Sequence, residues 1–303
     1  MATNGQIEHA AHEHRYELRN RYIFRGKLVM QTALHIGGGK VTLSNSDSPV
    51  VLTPDQKPFI PGSSFKGALR STVEKLVPGL PGLSTCALIE LNKDALQAEL
   101  DGGKDIKSIC STVRQWQIAQ ERRDNPARSA DINRRAVKEV CDTCRLFGSP
   151  FAAARLNVSD LYLPEEEWNG IIQTRDGVAI DRDSEKARDR LKYDFEVVPA
   201  SATFTMEIVL ENAEPEDLQL ICVGLSEYVQ GFGVIGGKRS RGLGVATLEE
   251  LMVEALELQG EGIDLAEGRR RLQNYLVNRK FTPGTITGSD FLKEQINGIF
   301  KHE

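Results

Sequence analysis

One glycine-rich stretch, Gly236–Gly244 (GGKRSRGLG), combines the residue types that hold a phosphate backbone. Lys238, Arg239 and Arg241 lie within four positions of one another and are flanked by glycines. Glycines let a protein backbone approach a phosphodiester closely, and the cations neutralise its charge. The stretch therefore predicts contact with nucleic-acid phosphates. An ordinary basic turn is the alternative that the residues leave open.

A second candidate anion site lies in Phe59–Leu76 (FIPGSSFKGALRSTVEKL), where helical spacing of apolar residues predicts a helix. A Pro-Gly turn precedes the helix, and Ser63 or Ser64 is expected to cap it. Lys66 and Arg70 lie four positions apart, within the first two turns. Free backbone N–H groups, two hydroxyls and two cations predict anion binding. A capped surface helix with two solvated cations is the alternative.

The cysteines indicate a structural metal site. Four of the five cysteines lie in the polar residues 83–148, at Cys86, Cys110, Cys141 and Cys144. A CxxC pair suits two thiolates on one tetrahedral zinc ion, and the other two cysteines could complete the set. A polar segment with little core of its own gains stability from such a metal. No thioredoxin-like context supports redox chemistry, whereas free structural thiols remain possible. Cys222 is predicted to lie in the core.

Several regular elements must position these residues. The patterns predict strands at Tyr22–Leu34, Pro49–Leu52, Arg155–Leu163, Thr203–Leu210 and Val245–Glu249, with a second long helix at Pro215–Gln230. The order strand, helix, strands, helix, strand predicts an α+β open sandwich, with helices on one face of an antiparallel sheet.

Shifts in composition divide the chain. They predict a flexible N-terminal tail at residues 1–20, a core at 21–250 and a helical C-terminal tail at 251–303. Within the core, residues 83–148 are predicted to be an insertion, and residues 173–198 a projecting hairpin dense in both charges.

The bulk composition limits the function classes. A chain of 303 residues with 40% hydrophobic residues can bury one good core. A net charge of −5 disfavours a free, non-specific RNA-binding protein, but it allows cations to cluster on one face of an assembly subunit. No run reaches the length of a membrane span and no apolar signal core is found, which predicts a cytoplasmic protein without disulfides.

Together, LHIGGG (Leu34–Gly39), DSPV (Asp47–Val50), the helix after the Pro-Gly turn and the GGKRSRGLG stretch resemble the RAMP superfamily. Within it, they resemble the backbone subunit of type III CRISPR effector complexes. The resemblance covers roughly Tyr22–Leu80 and Arg155–Leu248. It implies a ferredoxin-like, RRM-related fold. Only 6% of residues are aromatic, so stacking of bases on the sheet is not expected.

The resemblance also implies an RNA-binding set and a wedge. The residues expected to contact the guide RNA are His35, Ser63, Ser64, Lys66, Arg70, Arg182, Lys238, Arg239 and Arg241. The hairpin at 173–198 resembles the thumb of the family, which can push between stacked bases and kink the guide–target duplex. An ordinary exposed hairpin with salt bridges is the alternative.

Asp47 is the candidate catalytic residue. By itself, Asp47-Ser48-Pro49 is typical of an Asx turn. The resemblance implies catalysis, because family members that cut target RNA carry an acidic residue in the loop after the first strand. One carboxylate can hold Mg²⁺ or another divalent cation, or help to activate a 2′-hydroxyl. Asp55 is the rival carboxylate in a plain turn, and His35 is considered as a base but assigned to RNA contact.

The function implied is a subunit that binds guide RNA beside neighbouring copies of itself and other effector subunits. It would cleave complementary target RNA at regular intervals. One alternative is an inactive backbone subunit that only holds guide and target. The other is a guide-processing endoribonuclease, which should cut precursor hairpins as a free monomer with help from a histidine.

Overall fold

The computed structural model describes residues 17–38, 46–86, 93–103, 112–149, 153–168, 170–180 and 187–302. Its strands are β1 (Asn20–Met30), β2 (Phe59–Ile60), β3 (Leu156–Val158), β4 (Leu161–Tyr162), β5 (Gln173–Ile180), β6 (Ala187–Val197), β7 (Thr203–Glu211), β8 (Gly233–Val234), β9 (Val245–Glu257) and β10 (Pro283–Thr287).

The helices fall into two groups, one on the sheet and one in the insertion. They are α1 (Gly62–Leu76), α2 (Lys93–Asp101), α3 (Thr112–Asp124), α4 (Ser129–Glu139), α5 (Asp142–Phe147), α6 (Pro215–Val229), α7 (Leu265–Asn278) and α8 (Gly288–Ile299). Helices α1, α6 and α8 pack side by side over the core, with α6 in the middle. Within the part of the chain that the structure describes, no helix is both long and apolar enough to cross a membrane.

The main sheet is antiparallel, in the order β10-β9-β1-β7-β4-β2, with β3 beside β7 and β8 beside β9. Side chains alternate along a strand, so every second residue faces the helices. In β1, Phe24 and Leu28 are buried, whereas Arg25 and Lys27 lie on the exposed face and form ion pairs with glutamates of neighbouring strands. The predicted antiparallel α+β architecture is confirmed.

Three predicted strands differ from the structure in detail. The first was predicted at Tyr22–Leu34, but β1 ends at Met30, and Leu34 forms only an isolated bridge with Val198. The range Pro49–Leu52 contains only isolated bridges, from Val50 to Gly37 and from Leu52 to Pro58. The predicted strand Arg155–Leu163 is divided into β3 and β4.

The range 251–303, predicted to be a helical C-terminal tail, contains α7 and α8, but the predicted end of the last strand at Glu249 is wrong. Strand β9 continues to Glu257, β10 pairs with it, and α8 buries Phe291 against Phe24. In the structure, two consecutive acidic residues, Glu249 and Glu250, are both exposed where the strand was predicted to end. The structure has a bulge at this point, where the register with β1 shifts between Arg25 and Lys27 and Glu250 adopts a φ of 52°.

The expected serine cap of α1 is also wrong. Pro61 occupies the N-cap position, so Ser63 and Ser64 lie within the first turn. The N–H of Gly62 instead donates to Oδ1 of Asp160 at 2.7 Å. A Cβ at Gly62 would lie 2.3 Å from the carbonyl oxygen of Val158, so this close approach requires glycine. A carboxylate of the protein therefore occupies the helix terminus where an external anion was expected.

An antiparallel hairpin occupies most of the predicted range 173–198. Among the described strands, β5 and β6 form a sheet of their own. Gly177 lies opposite Tyr193 in the register, and a Cβ at Gly177 would lie 2.3 Å from an atom of the Tyr193 ring. The predicted RNA-contacting residue Arg182 lies outside the described residues.

The insertion is joined to the core through its last helix. Helices α3 and α4 share a small cluster of Ile118, Ile132 and Ala136. Leu146 and Phe147 of α5 belong to the main hydrophobic core. Cys110, the fourth predicted zinc ligand, lies outside the described residues.

Replacement of the carboxylate that caps α1 should destabilise the protein. Asp160→Ala removes the acceptor of the Gly62 N–H, and loss of a cap costs about 1 kcal/mol of unfolding free energy. Ser63→Ala and Ser64→Ala are the matched controls and should each change it by less than about 0.5 kcal/mol. Urea denaturation of the three variants measures the difference. A larger loss in either serine variant would contradict the assignment.

Candidate functional site

The end of β6 brings two candidate loops together. Four consecutive residues, Tyr193, Asp194, Phe195 and Glu196, alternate in type along the strand. The two aromatic side chains contact the loop of residues 236–244, here called the basic loop. The two acidic side chains bind the loop of residues 46–50, here called the Asp47 loop. Since side chains of a strand alternate between its faces, one short segment can hold a different loop on each side.

Two of the three cations of the basic loop, Lys238 and Arg241, lie over the aromatic pair. The Nζ atom of Lys238 lies 4.4 Å from the ring centre of Phe195 and 5.5 Å from that of Tyr193. The guanidinium carbon of Arg241 lies 5.4 Å from the ring centre of Tyr193, and its Nη1 donates to the Tyr193 hydroxyl. Cation–π contacts at exposed sites contribute about 0.5–1 kcal/mol each, so they fix the loop without removing its charge.

The backbone of the basic loop depends on left-handed conformations. Lys238 has a φ of 58°, and Gly244 has a φ of 84°. A Cβ at Gly244 would lie 1.9 Å from the carbonyl oxygen of Ile235, so only glycine fits there. Arg239 and Arg241 are exposed on the single turn between these points. The loop thus presents its cations to solvent on a defined backbone.

The Asp47 loop is held by hydrogen bonds from both main chain and side chains of β6. The N–H of Asp47 donates to Oδ1 of Asp194 at 2.7 Å, and the N–H of Asp194 donates to Oδ2 of Asp47 at 3.1 Å. The N–H of Glu196 donates to the carbonyl oxygen of Ser48 at 3.0 Å. The N–H of Val50 donates to the Glu196 carboxylate at 3.0 Å. Asp47 is exposed in this position.

His35 lies beneath both loops. Its side chain is buried, and its Nδ1 donates to the carbonyl oxygen of Glu196 at 2.7 Å, since a carbonyl can only accept. Its Nε2 lies 3.3 Å from the Ser48 hydroxyl, and its ring packs edge-on against Phe195. The N–H of Gly237 in the basic loop donates to the His35 carbonyl oxygen at 2.8 Å. Both ring nitrogens therefore have partners inside the protein, and His35 connects the two loops with β6.

The partners of Lys66 and Arg70 lie outside β6 and its two loops. The ammonium of Lys66 donates to the carbonyl oxygen of Leu156 in β3 at 2.9 Å. Burial, and then the charge of Arg70, lower the pKa of Lys66. Arg70 donates to Glu74 at 2.7 Å and to the Sγ atom of Cys144 at 3.2 Å. These two cations connect α1 with β3 and with the end of the insertion.

Three of the predicted zinc ligands form a buried cluster. The Sγ atoms of Cys86, Cys141 and Cys144 lie within 4.8 Å of one another, and those of Cys86 and Cys144 are 3.5 Å apart. The N–H of Cys144 donates to Sγ of Cys141 at 3.4 Å at the start of α5. Sulfur ligands of a tetrahedral zinc ion lie about 3.8 Å apart, given bonds of about 2.3 Å. The cluster therefore has the spacing needed to hold a metal ion.

The fifth cysteine is separate from this cluster. Cys222 is fully buried in α6 and belongs to the main hydrophobic core, as predicted. Burial raises the pKa of its thiol well above the usual value, which keeps it in the neutral form. Cys222 is thus a packing residue.

Sequence reasoning missed the residues that hold the candidate loops. Tyr193, Asp194, Phe195 and Glu196 were seen only as the flank of a hairpin. The signal available was the strict alternation of aromatic and acidic residues in YDFE, which is unusual because each face of the strand then has its own chemistry. Asp160 gave no such signal, because it lies 98 positions from the N–H that it binds.

Comparisons with known proteins place the chain in a family. Residues 27–247 match the RAMP superfamily. A relative from Methanocaldococcus jannaschii, named CRISPR system Cms endoribonuclease Csm3, is 25% identical over 247 residues, which cover 75% of this chain and 78% of the relative.

Two further proteins of the same name are similar over shorter stretches. The protein from Enterococcus italicus is 48% identical over 60 residues, which cover 19% of this chain and 28% of the relative. The protein from Methanothermobacter thermautotrophicus is 41% identical over 59 residues, which cover 18% of this chain and 24% of the relative.

Proposed function

The chain belongs to the RAMP superfamily, and on that basis we propose that it is a backbone subunit of a type III CRISPR effector complex. It binds guide RNA and cleaves complementary target RNA, beside neighbouring copies of itself and other effector subunits in the cytoplasm. One observation carries the proposal: β6 holds an exposed aspartate loop and a basic loop on its two sides. The proposed RNA-binding cations and the proposed catalytic carboxylate are thus held by the same short segment of β6.

The strand order supports the finer assignment of the fold. Strand β1 lies between β9 and β7, with α1 following β1 and α6 connecting β7 to β9. This arrangement corresponds to a ferredoxin-like sandwich, to which β2, β8 and β10 are additions. The hairpin of β5 and β6 is the proposed thumb, and it would insert between stacked bases of the guide–target duplex.

The proposed guide-binding surface is centred on the basic loop. Lys238, Arg239 and Arg241 would contact phosphates, which position the strand but carry no sequence information. That suits a subunit which must accept any guide. His35 takes a supporting role in this proposal, because its ring is buried under the loops.

The other residues expected at the guide RNA are assigned by where they lie. Ser63 is exposed at the start of α1 and Ser64 is half-buried beside it, so they would lie at the edge of the surface. Lys66 and Arg70 would act from α1, where their charges would add to the positive potential of the basic loop. Arg182 would contact RNA from the hairpin.

Removal of two cations should weaken the salt dependence of RNA binding. Lys238→Ala combined with Arg241→Ala should lower the slope of log affinity against log salt by about 0.7–1 for each lost phosphate contact. Filter binding of a single-stranded RNA of guide length across a salt series measures this slope. Lys57→Ala is the matched control, because Lys57 is paired with Glu165 at 2.9 Å. Wild-type affinity and slope in the double variant would place the guide-binding surface elsewhere.

Asp47 is the proposed catalytic residue. Its carboxylate is exposed and held on a defined loop, and carboxylate oxygens are suitable ligands for Mg²⁺ or another divalent cation. The cation would supply Lewis-acid stabilisation of the phosphodiester when bound. Asp55 is exposed too, but it lies outside the loop of residues 46–50, whose described hydrogen bonds hold Asp47 against β6. This difference favours Asp47 over its rival.

Substitution of Asp47 should abolish cleavage without loss of RNA binding. Asp47→Asn keeps an oxygen that can accept the N–H of Asp194 but removes the charge, so its cleavage rate should fall by about 10²-fold or more. Asp47→Ala and removal of divalent cations should have the same effect, and Asp55→Ala should cleave as the wild type does. The assay compares assembled complexes at equal target occupancy. Undiminished cleavage by Asp47→Asn would move the catalytic role to another residue, whereas absence of cleavage by the wild-type complex would favour the inactive-backbone alternative.

The geometry disfavours the guide-processing alternative. That reaction is expected to use a histidine, and among the described residues His35 lies beside the Asp47 loop. Both nitrogens of its ring are engaged within the protein. A buried ring in such contacts is poorly suited to take a proton from an RNA hydroxyl.

The cysteine cluster is the proposed zinc site. Cys86, Cys141 and Cys144 would supply three thiolates, and Cys110 is the proposed fourth ligand. The Arg70 guanidinium lies 3.2 Å from Sγ of Cys144 and would offset part of the negative charge of the thiolates. The metal would hold the start of the insertion, at Cys86, against α5.

Loss of the CxxC pair should remove the metal. The purified wild-type protein should contain about one zinc ion per chain, because a four-cysteine set binds one ion. Cys141→Ser combined with Cys144→Ser should contain none, whereas Cys222→Ala should keep it. Elemental analysis measures the zinc content. Zinc-free wild-type protein, or unchanged zinc in the double variant, would overturn the assignment.

A further inference from the structure

The contacts of Asp194 point to a role for a residue outside the proposed catalytic and RNA-binding sets. We propose that Asp194 is a positioning residue, which fixes the carboxylate of Asp47 for cleavage of the target RNA. The inference rests on the proposed function and deepens it. Asp194 acts through Asp47 and makes no contact with the reacting atoms.

Two reciprocal hydrogen bonds carry the inference. The Asp194 carboxylate accepts the N–H of Asp47 at 2.7 Å, and the N–H of Asp194 donates to the Asp47 carboxylate at 3.1 Å. The first bond fixes the backbone of Asp47 and the second fixes its side chain. An exposed aspartate would otherwise sample several rotamers, so this closed pair selects one direction for the carboxylate.

A third bond strengthens the same anchor. The hydroxyl of Ser46 donates to Oδ1 of Asp194 at 2.9 Å, so this oxygen accepts from two consecutive residues of the chain. An oxygen that accepts from both a backbone amide and a hydroxyl is a typical organising centre of a tight loop. Removal of the oxygen would therefore release the part of the loop that carries Asp47.

The position of Asp194 is itself fixed by the residues on either side. Tyr193 and Phe195 lie against Arg241 and Lys238 of the basic loop. The aspartate between them therefore sits on a strand segment that is held from the opposite face. Through its hydrogen bonds, Asp194 holds the Asp47 loop in a fixed position relative to β6.

The hydrogen bonds of Asp194 allow a positioning role to be separated from a direct role of its negative charge. Both bonds from the Asp47 loop end on Oδ1, which the side-chain oxygen of asparagine can replace. A positioning residue should thus tolerate Asp194→Asn and not Asp194→Ala. A metal ligand or an electrostatic participant should not tolerate either change.

The test uses complexes assembled with guide RNA and either wild-type, Asp194→Ala, Asp194→Asn or Asp47→Ala subunit. Cleavage is measured in single turnover at saturating target RNA, and target affinity is measured separately. Asp194→Ala should lower the cleavage rate constant by about 10–100-fold, as misplacement of a reacting group by about 1 Å does, while target affinity stays unchanged. Asp194→Asn should stay within about threefold of the wild-type rate, since it keeps the acceptor.

Each other outcome overturns a distinct statement. A wild-type rate in Asp194→Ala, or an Asn variant as slow as the Ala variant, overturns the positioning role. A parallel loss of target affinity also overturns it, in favour of RNA contact. If Asp194→Ala does not assemble, Ser46→Ala, which removes one of the two bonds to Oδ1 of Asp194, takes its place: a slower cleavage rate supports the positioning role and a wild-type rate overturns it. Full cleavage by Asp47→Ala overturns the proposed function itself, whatever the Asp194 variants do.

Discussion

The two-residue period of β6 is the constraint on which the candidate site depends. Tyr193 and Phe195 face the basic loop, and Asp194 and Glu196 face the Asp47 loop. Two loops far apart in the sequence thereby take fixed positions on one short segment of backbone. The basic loop has only the single 3₁₀ turn of Arg239–Arg241, and residues 46–50 form no helix, so the strand supplies the rigidity that a preorganised site requires.

Local patterns were sufficient to predict the main elements of the fold. The predicted strand Thr203–Leu210 and helix Pro215–Gln230 each end within one residue of the observed β7 and α6, because alternation and a proline at the first helical turn are strong local signals. The continuation of β9 was missed because a bulge has no signal of its own in a single sequence. The two acidic residues at the bulge look the same as a strand end followed by a loop.

The partners within the site could not be predicted, for a related reason. The residues that carry charge, such as Asp47 and Lys238, were identified by type and by resemblance. Their neighbours are set by tertiary contacts, and Asp47 and Asp194 are separated by 147 positions. The predicted role of His35 illustrates the limit: its type suggests RNA contact, but its flanking residues Leu34 and Ile36 are apolar, and the ring is buried. A single sequence shows which functional groups are available, but not which way the side chains point or which partners they contact.

The absence of a side chain at Gly177 helps to determine which side of β6 carries the acidic residues. The Tyr193 ring passes over Gly177, where any side chain would collide with it. A slip of β6 by one residue would bring the ring over Asp176 or Val178 and would also exchange the faces of the strand. Aspartate would then meet the cations and tyrosine would meet the acidic loop. The glycine makes that alternative pairing sterically costly. The observed register is therefore favoured, with the aromatic face of β6 toward the cations and the acidic face toward the Asp47 loop.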